Sequence, residues 1–296
     1  MAPHGLSRPP GPIVRTAPVP HDRLAADRVS GVLHLALETP ERQFVSPGTG
    51  RLVLVDTGEG AIVAHQGARA AGKPILPGTG IKGAVRTLFE LLSFSCDPLD
   101  PGSRCSRGSC CDACSVFGFL GWSGRISFHD AAASGTARVE MRKVPVPWEP
   151  KAEKTGGEFR LYDLRTATTL DPERRQWVER RKELAREVFT GGFAGAMSFW
   201  NLTEDELGRL LYGMGAGVEP EARFHLRLGG AKYDGKGAVR ITPTRLRLVS
   251  PHRETLENKA CTDRCARWMA LARGSAWGKT FWPTLTELAR TLESED

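Results

Sequence analysis

A cluster of cysteines is the clearest chemical feature of the sequence, with five of them spaced Cys96-x8-Cys105-x4-Cys110-Cys111-x2-Cys114. A Cys-x2-Cys pair has the spacing of a zinc knuckle, and two more thiolates complete a tetrahedral site. The spacing therefore predicts a structural zinc site made by Cys96, Cys105, Cys111 and Cys114, with Cys110 as an alternative to Cys111. Four thiolates leave no open position for water, so this zinc is expected to hold the fold rather than to catalyse a reaction.

Glycines and cations make a second candidate site. Lys82 and Arg86 lie four residues apart on a predicted helix that follows Pro77-Gly78-Thr79-Gly80, where free amides and nearby cations can bind phosphate. The loop from Gly229 to Gly237 holds four glycines and two lysines, more glycine than a hairpin turn needs. Together with arginines on the neighbouring strands, it favours a sugar-phosphate track. The predicted phosphate-binding residues are Thr79, Gly80, Lys82, Arg86, Gly229, Gly230, Lys232, Lys236 and Arg240.

Few residues are spaced for catalysis. The seven histidines show no HExxH pattern, and there is no GxSxG or Walker loop. A metal-dependent nuclease needs clustered carboxylates beside the scissile phosphate. Asp56 and Glu59 are the candidates in the loop before the first predicted helix. The simpler interpretation is that they are acidic residues at a turn. Asp56 is the predicted catalytic residue if the protein cuts RNA with Mg²⁺. A metal-independent nuclease would use a histidine as general base, for which His34 and His65 are candidates.

Composition limits the class of partner. The 296 residues include 41 Lys and Arg against 34 Asp and Glu, which gives a formal net charge of +7 and a pI near 9.2. That excess favours a polyanionic partner but also fits an ordinary basic protein. No run of about 18 apolar residues that could span a bilayer occurs. The first 20 residues contain six prolines and no apolar core, which predicts an extended arm and not a secretory signal. The cysteines then indicate a metal site in a reducing cytoplasm.

Apolar periodicity predicts the elements that position these residues. Strands are expected at 32–38, 124–130, 193–199, 222–228 and 238–249, and helices at 80–93 and after the capping box that runs from Thr203 to Glu206. In the strand 222–228, Arg223, His225 and Arg227 are expected to face outward. The order strand, helix, strand, strand, helix, strand is that of an α+β protein with a modified ferredoxin-like (RRM-like) fold, an antiparallel sheet covered by two helices.

The pattern predicts one elaborated domain. An arm is expected over 1–30, the ferredoxin-like domain over 31–250 and a C-terminal helical extension over 251–296. Insertions in the domain are expected at 40–75, at 94–122 around the cysteines and at 131–190. In the last of these, residues 172–187 include six basic and four acidic residues, which favours a solvated helix away from the core. Cys261 and Cys265, spaced as helix neighbours, are expected to be core residues, with a loose second metal site as the alternative.

Four ordered motifs resemble those of a known family. Residues 75–86, ILPGTGIKGAVR, resemble the PGSSLKGxxR segment of the RAMP superfamily of CRISPR-associated proteins. Residues 114–130 resemble the family's C-x-x-FG … GRI-x-x-D stretch, with Cys114, Gly124-Arg125-Ile126 and Asp130 at the matching positions. Residues 199–208, FWNLTEDELG, are similar to its F-x-NLT-x-x-ELG, and residues 228–237 are similar to its C-terminal glycine-rich loop.

The resemblance implies a backbone subunit that binds guide RNA (crRNA) in a type III CRISPR effector complex for antiviral defence. Its partners would be crRNA, complementary target RNA and other effector subunits, including copies of itself or related RAMP subunits. Lys82, Arg86 and the glycine-rich loop would hold guide phosphates, and a projecting thumb, formed by residues 131–190 or by the 40–70 loop, would kink the guide.

Three aspects of function stay open at this point. Family members that cleave target RNA carry an Asp before the first helix, but residues 60–65 contain none, and Asp56 lies a few residues early. One alternative is a metal-independent endoribonuclease that processes precursor crRNA. The other is a zinc-stabilised module that binds single-stranded RNA of any origin.

Overall fold

The computed structural model describes residues 4–48, 51–56, 58, 60–97, 103, 105–145, 158–161 and 183–293. Its strands are β1 (His4–Ser7), β2 (Arg15–Thr16), β3 (Val29–Glu38), β4 (Leu52–Asp56), β5 (Ala61–His65), β6 (Arg69–Ala70), β7 (Lys73–Leu76), β8 (Cys110–Cys111), β9 (Gly118–Phe119), β10 (Trp122–Ser123), β11 (Ile126–Phe128), β12 (Ala131–Ala133), β13 (Arg138–Pro145), β14 (Glu158–Leu161), β15 (Glu183–Thr190), β16 (Gly192–Leu202), β17 (Leu226–Arg227), β18 (Ala238–Ser250) and β19 (Glu254–Glu257). Its α-helices are α1 (Gly78–Leu91), α2 (Asp112–Phe117), α3 (Glu204–Gly213), α4 (Asn258–Gly274) and α5 (Ala276–Glu293).

A curled antiparallel sheet forms the centre of the protein. Its order is β17-β18-β3-β16-β12-β7-β6, with β11 also paired to β16 and β19 to β18. The predicted alternation in the first strand is confirmed, because Leu33, Leu35 and Leu37 are buried and the residues between them are partly exposed. These leucines belong to one hydrophobic core with the apolar residues of α1 and α3. The predicted α+β class is therefore confirmed.

The two long segments predicted as insertions, 40–75 and 131–190, meet in a second sheet. Its order is β13-β15-β5-β4, with β4 and β5 from the first segment and β13 and β15 from the second. The predicted solvated helix over 172–187 is wrong where the structure describes it, since residues 183–187 lie in β15; residues 172–182 lie outside the described residues. Pairing with β13 and the burial of Val188 and Phe189 outweigh the charge pattern, because they give this segment an apolar side to bury.

The predicted outward face of residues 222–228 is confirmed at Arg223, which is exposed, and is wrong at His225 and Arg227. Only Leu226 and Arg227 pair as a strand, and the side chains of His225 and Arg227 are covered. The end of α5 covers them: Glu293 accepts hydrogen bonds from the backbone N–H and Nδ1 of His225 at 2.6 and 2.7 Å, and Arg227 donates to the carbonyl of Leu292. A helix far along the chain therefore buries positions that local alternation assigns to solvent.

The N-terminal arm is fastened to the domain at several points. Strand β1 pairs with β14, and β2 pairs with β8 in the cysteine-rich segment. Asn201, which has a left-handed φ of 52°, accepts a hydrogen bond from the amide of Ala25 and donates to the carbonyls of Pro20 and Arg23. The arm is thus held by side-chain and sheet contacts and does not stand free over these residues.

The C-terminal segment packs on α3 through α4. A side chain at Gly208 would meet the carbonyl oxygen of Trp268 at 2.1 Å, so the two helices approach closely only because this position is glycine. Within the part of the chain that the structure describes, no helix is both long and apolar enough to cross a bilayer.

A buried arginine joins segments that are distant in sequence. Arg125 is 1% exposed and donates to the Ser115 carbonyl, the Asn201 carbonyl and the carboxylate of Glu206. The predicted capping box is confirmed, because Thr203 Oγ1 accepts from the amide of Glu206 and Glu206 accepts from the amide of Thr203. Burial acts to raise the pKa of Glu206, but Arg125 outweighs it and holds the pKa below its usual value.

Replacing Glu206 with Gln should destabilise the protein strongly, because it leaves the buried charge of Arg125 without an anion. We expect the free energy of unfolding to fall by about 3–5 kcal/mol, measured by urea denaturation. Glu257→Gln is the control, since its ion pair with Arg245 is exposed at the surface and should contribute less than about 1 kcal/mol. Equal losses in the two variants would contradict the structural role of Arg125.

Candidate nucleic-acid interface and cysteine cluster

The start of α1 and the glycine-rich loop face each other across one cleft. Thr79, Gly80 and Ile81 line one side, and Leu228 and Gly229 line the other. The segment from Val45 to Gly48 contributes to the lining between them. We call this the loop–helix cleft. The structure therefore brings together three of the predicted phosphate-binding residues, Thr79, Gly80 and Gly229.

The first turn of α1 leaves a donor open at the cleft. Asp130 accepts a hydrogen bond from the amide of Gly78 at 2.8 Å, and Pro77 accepts from the amides of Gly80 and Ile81. The amide of Thr79 has no acceptor among the described residues. A free N–H at a helix start carries partial positive charge and is suited to an anionic oxygen.

The opposite side of the cleft depends on a close backbone approach. Gly229 has a φ of 74°, and a Cβ there would lie 2.5 Å from the carbonyl oxygen of Ser46. The amide of Gly230 donates to that same oxygen at 2.8 Å. The hydroxyl of Ser46 is buried and has no hydrogen-bond partner within the described ranges. Buried hydroxyls are normally satisfied, so Ser46 is an exception; it is 1% exposed and does not itself line the cleft.

Two lysines of the loop differ in their surroundings. Burial, followed by repulsion from Arg227, lowers the pKa of Lys232, and no carboxylate in the described part of the chain pairs with its ammonium. Lys236 donates to the carbonyl of Arg42 at 3.3 Å and lies 5.9 Å from the centre of the Phe44 ring. An enclosed ammonium beside another cation is poorly solvated, so an anion bound near Lys232 would be attracted strongly.

Arg240 lies beside buried groups of the domain. Its Nη2 is 2.9 Å from Nε2 of His225, whose other ring nitrogen bonds to Glu293. Arginine can only donate, so Nε2 of His225 is the acceptor in this contact. The role predicted for Arg240 in binding RNA stays a prediction.

Lys82 and Arg86 make contacts within the protein and do not line the loop–helix cleft. Lys82 donates to the carbonyl of Ile126 at 3.1 Å, and burial and Arg86 lower its pKa. Arg86 donates to Glu90, to the carbonyl of Gly118 and, at 3.7 Å, to the sulfur of Cys114. Both side chains stay predicted RNA contacts, but a phosphate would have to compete with these partners.

The four predicted zinc ligands are brought together. The sulfur atoms of Cys96, Cys105, Cys111 and Cys114 all lie within 4.8 Å of one another. Cys96 Sγ is 3.5 Å from Cys114 Sγ and 3.7 Å from Cys111 Sγ, close to the separation of about 3.8 Å that a tetrahedron with Zn–S bonds of about 2.3 Å requires. All are free cysteines. The donor set therefore fits a tetrahedral thiolate-bound metal ion.

The surroundings of the sulfurs favour the ionised form. Backbone amides donate to Cys111 Sγ at 3.4 Å and to Cys105 Sγ at 3.2 Å, and Arg86 lies beside Cys114. Without a cation, ionisation of one thiol disfavours ionisation of its neighbours. The hydrogen bond with Cys111, together with burial, therefore raises the pKa of Cys96 to about 12. A divalent cation would remove this competition, because it binds all four thiolates at once.

The other cysteines lie outside this cluster. Cys110 is buried but is not among the four sulfurs that converge, which favours Cys111 over Cys110 as the ligand. Cys261 and Cys265 are both buried on α4, as expected of core residues. Among the described residues, they do not belong to a group of three or more potential metal ligands.

Among the described residues, the candidate catalytic residues Asp56, His34 and His65 are not brought together; Glu59 lies outside the described residues. Asp56 ends β4, is exposed and accepts a hydrogen bond from the amide of Gly58 at 2.9 Å. Within the described ranges, it does not belong to any cluster of three potential metal ligands. His34 lies in the central sheet and His65 in the second sheet. A catalytic role for Asp56 stays a prediction.

Sequence reasoning missed three residues near the glycine-rich loop. Ser46 gives no signal, because a serine in a Pro- and Gly-rich segment looks like any turn residue. Arg142 and Arg186 lie in a segment that the sequence pattern identifies only as a charged insertion. They face each other across β13 and β15, and this juxtaposition depends on a strand register that charge composition does not reveal.

Comparison with known proteins supports one family. The model of the RAMP superfamily matches residues 58–268. No curated protein matches the sequence. Among solved structures, one similar chain comes from the "Cryo-EM structure of the Type III-B Cmr-beta bound to cognate target RNA", with a TM-score of 0.38 and 14% identity. The match covers 75% of this chain and 61% of that chain, so it spans less than two thirds of the solved chain.

Replacing Gly229 with Ala should disturb the loop–helix cleft, because the new Cβ would meet the Ser46 carbonyl and the backbone has positive φ. We expect the free energy of unfolding to fall by more than about 1 kcal/mol in thermal or urea unfolding. Gly83→Ala is the matched control: it lies in α1 with open space around the added methyl and should be neutral or stabilising by up to about 1 kcal/mol. A neutral Gly229→Ala would show that the close approach to Ser46 is not required.

Proposed function

Because the chain belongs to the RAMP superfamily, we propose that it is a backbone subunit that binds guide RNA in a type III CRISPR effector complex. The observation that carries the proposal is the free amide of Thr79, which lines the loop–helix cleft. On the opposite side, the loop that begins at Gly229 carries the Lys232 ammonium, which has no carboxylate partner among the described residues. A phosphodiester offers the anionic oxygens that such donors need.

The form of the cleft supports recognition of the nucleic-acid backbone rather than of a base sequence. Its lining contains glycines, Thr79 and apolar side chains, and it presents no amide or guanidinium side chains of the kind that read base edges. A subunit that must hold guides of any sequence needs contacts to phosphate and sugar. Complementary target RNA and other effector subunits, including copies of this chain, are the proposed further partners.

We also propose that the central sheet and two of its helices form the ferredoxin-like core. In chain order the elements are β3, α1, β11 with β12, β16, α3 and β18, which is the order strand, helix, strand, strand, helix, strand. In space, β18 and β16 flank β3, and β11 and β12 lie beyond β16. This arrangement places the start of α1 next to the loop that precedes β18, so the fold itself positions the two sides of the cleft.

Purification from the native host would test the function. We expect RNA that contains CRISPR repeat sequence to co-purify with the protein and to be enriched over total RNA on sequencing. Absence of repeat-derived RNA would contradict the proposal. RNA of random origin would instead support a general single-strand-binding module.

A binding assay would test the cleft. Lys232→Gln removes a cation that has no carboxylate partner in the described structure, so we expect the Kd for single-stranded RNA to rise about tenfold or more by fluorescence anisotropy. Lys259→Gln is the control, because this lysine is exposed on α4 and pairs with Asp263. An equally small change in the Kd of both variants would exclude the cleft as the binding site.

We propose, in addition, that Cys96, Cys105, Cys111 and Cys114 bind a structural zinc ion. The ion would fasten the arm as well as the cysteine-rich segment, because Cys111 lies in β8, which pairs with β2 of the arm. Zinc would supply binding energy to the fold at this segment, and four thiolates leave it no catalytic position. In this arrangement Arg86 would offset part of the negative charge of the site from beside Cys114.

Metal analysis of two adjacent variants would test the zinc site. The wild type and Cys110→Ser should each contain about one zinc per chain, whereas Cys111→Ser should lose it, because only Cys111 points into the cluster. Inductively coupled plasma mass spectrometry gives the stoichiometry. Loss of zinc from Cys110→Ser with retention in Cys111→Ser would reverse the assignment of the ligand.

A further inference from the structure

Two arginines face each other in the second sheet. Arg142 of β13 lies directly opposite Arg186 of β15 in the antiparallel register. Two residues further along the same strands, Val144 and Val188 pack against Phe44. Because side chains alternate along a strand, both arginines point to the side of the sheet that Phe44 covers. Like charges directly opposite each other destabilise a sheet unless an anion lies between them.

A third cation reaches the same ring from the glycine-rich loop. The guanidinium carbon of Arg142 is 5.1 Å from the centre of the Phe44 ring, and the ammonium nitrogen of Lys236 is 5.9 Å from it. Burial, followed by repulsion from Arg142, lowers the pKa of Lys236. We call Phe44, Arg142, Arg186 and Lys236 the Phe44 cluster.

The carboxylates nearby do not neutralise the whole cluster. Glu140 bonds to Arg142 at 2.6 and 2.9 Å, and Asp234 attracts Lys236. Glu187 follows Arg186 in sequence, but it points to the other side of the sheet and binds Arg69 at 2.8 Å. Arg186 has no carboxylate partner among the described residues, and its Nε is buried without a hydrogen bond. A guanidinium in this state needs an acceptor from outside the chain.

We infer that the Phe44 cluster binds a phosphate of the same single-stranded nucleic acid that occupies the loop–helix cleft. This inference rests on the proposed function. Arg186 would donate to the phosphate oxygens, and Arg142 and Lys236 would supply further positive charge. The planar guanidinium of Arg186 suits two oxygens of one phosphate group.

The cluster and the cleft are continuous. Phe44 belongs to the cluster, and the next residue along the chain, Val45, lines the cleft. The segment is held between both sites, because Val45 pairs with Phe189 of β15 and the Phe44 carbonyl accepts from the amide of Gly237 at 3.0 Å. Neighbouring phosphates of one strand could therefore contact both sites.

The salt dependence of RNA binding tests this inference. For single strands, a plot of log binding constant against log salt concentration has a negative slope, and its magnitude decreases by about 0.7 for each phosphate contact that is lost. We expect Arg186→Gln to reduce the slope for a labelled oligouridylate by about that amount, and Arg186→Lys, which keeps the charge, to retain most of it. Arg290→Gln is the control, since this arginine is exposed on α5 and pairs with Glu287.

The outcomes separate the inference from the proposed function. If the wild type does not bind RNA, the proposed function fails. If the wild type binds and Lys232→Gln lowers the slope but Arg186→Gln does not, the inference alone is wrong. If inorganic phosphate raises the melting temperature of the wild type but not of Arg186→Gln, and the RNA slope is unchanged, the cluster binds free phosphate and the inference is also overturned. Should Arg186→Gln fail to fold, Arg142→Gln is measured in its place against the same expectation.

Discussion

The buried guanidinium of Arg125 is the group on which the arrangement of the chain depends. A charge removed from water must be paired and fully hydrogen-bonded, so its partners are held in place. They come from α2, from the end of β16 and from α3, which are far apart in sequence. Asn201, whose carbonyl is one of these partners, also fixes the arm through its side chain. One polar network therefore sets the relative positions of the arm, the cysteine-rich segment and two layers of the core.

In the part of the chain that the structure describes, two cations of the proposed RNA surface lack the anionic partners that two cations of the core have. In the core, two cations that organise the fold have anions: Arg125 has Glu206, and Arg209 has Asp112 and Asp205. Around the glycine-rich loop, Lys232 and Arg186 have none among the described residues, although Lys232 is partly buried and the Nε of Arg186 is buried. Their unmatched charge costs stability in the free protein, and a polyanion would recover it on binding. The contrast between the two regions, more than the net charge of +7, supports the proposed position of an anionic partner.

The sequence predicted the elements that depend on local pattern. The capping box at Thr203 and the strand at Leu33 to Leu37 are set by residues that are neighbours in sequence, and both are found as expected. The convergence of four cysteines follows from their spacing. Features that depend on distant contacts were not predictable. Helix α5 buries His225, and pairing with β13 makes a charged segment adopt the strand β15. The same limit applies to Lys82 and Arg86, whose helical spacing was recognised but whose partners, Ile126 and Gly118, lie in other elements.

Photo-crosslinking tests the central claim, that RNA lies in the loop–helix cleft and along the adjoining loop. Guide RNA containing 4-thiouridine would be bound to the protein and irradiated, and the crosslinked peptides would be identified by mass spectrometry. The account predicts crosslinks to peptides that contain Ser46, Thr79 or Lys232, which come from three separate parts of the chain. Crosslinks confined to α4 and α5, with none to these peptides, would contradict it.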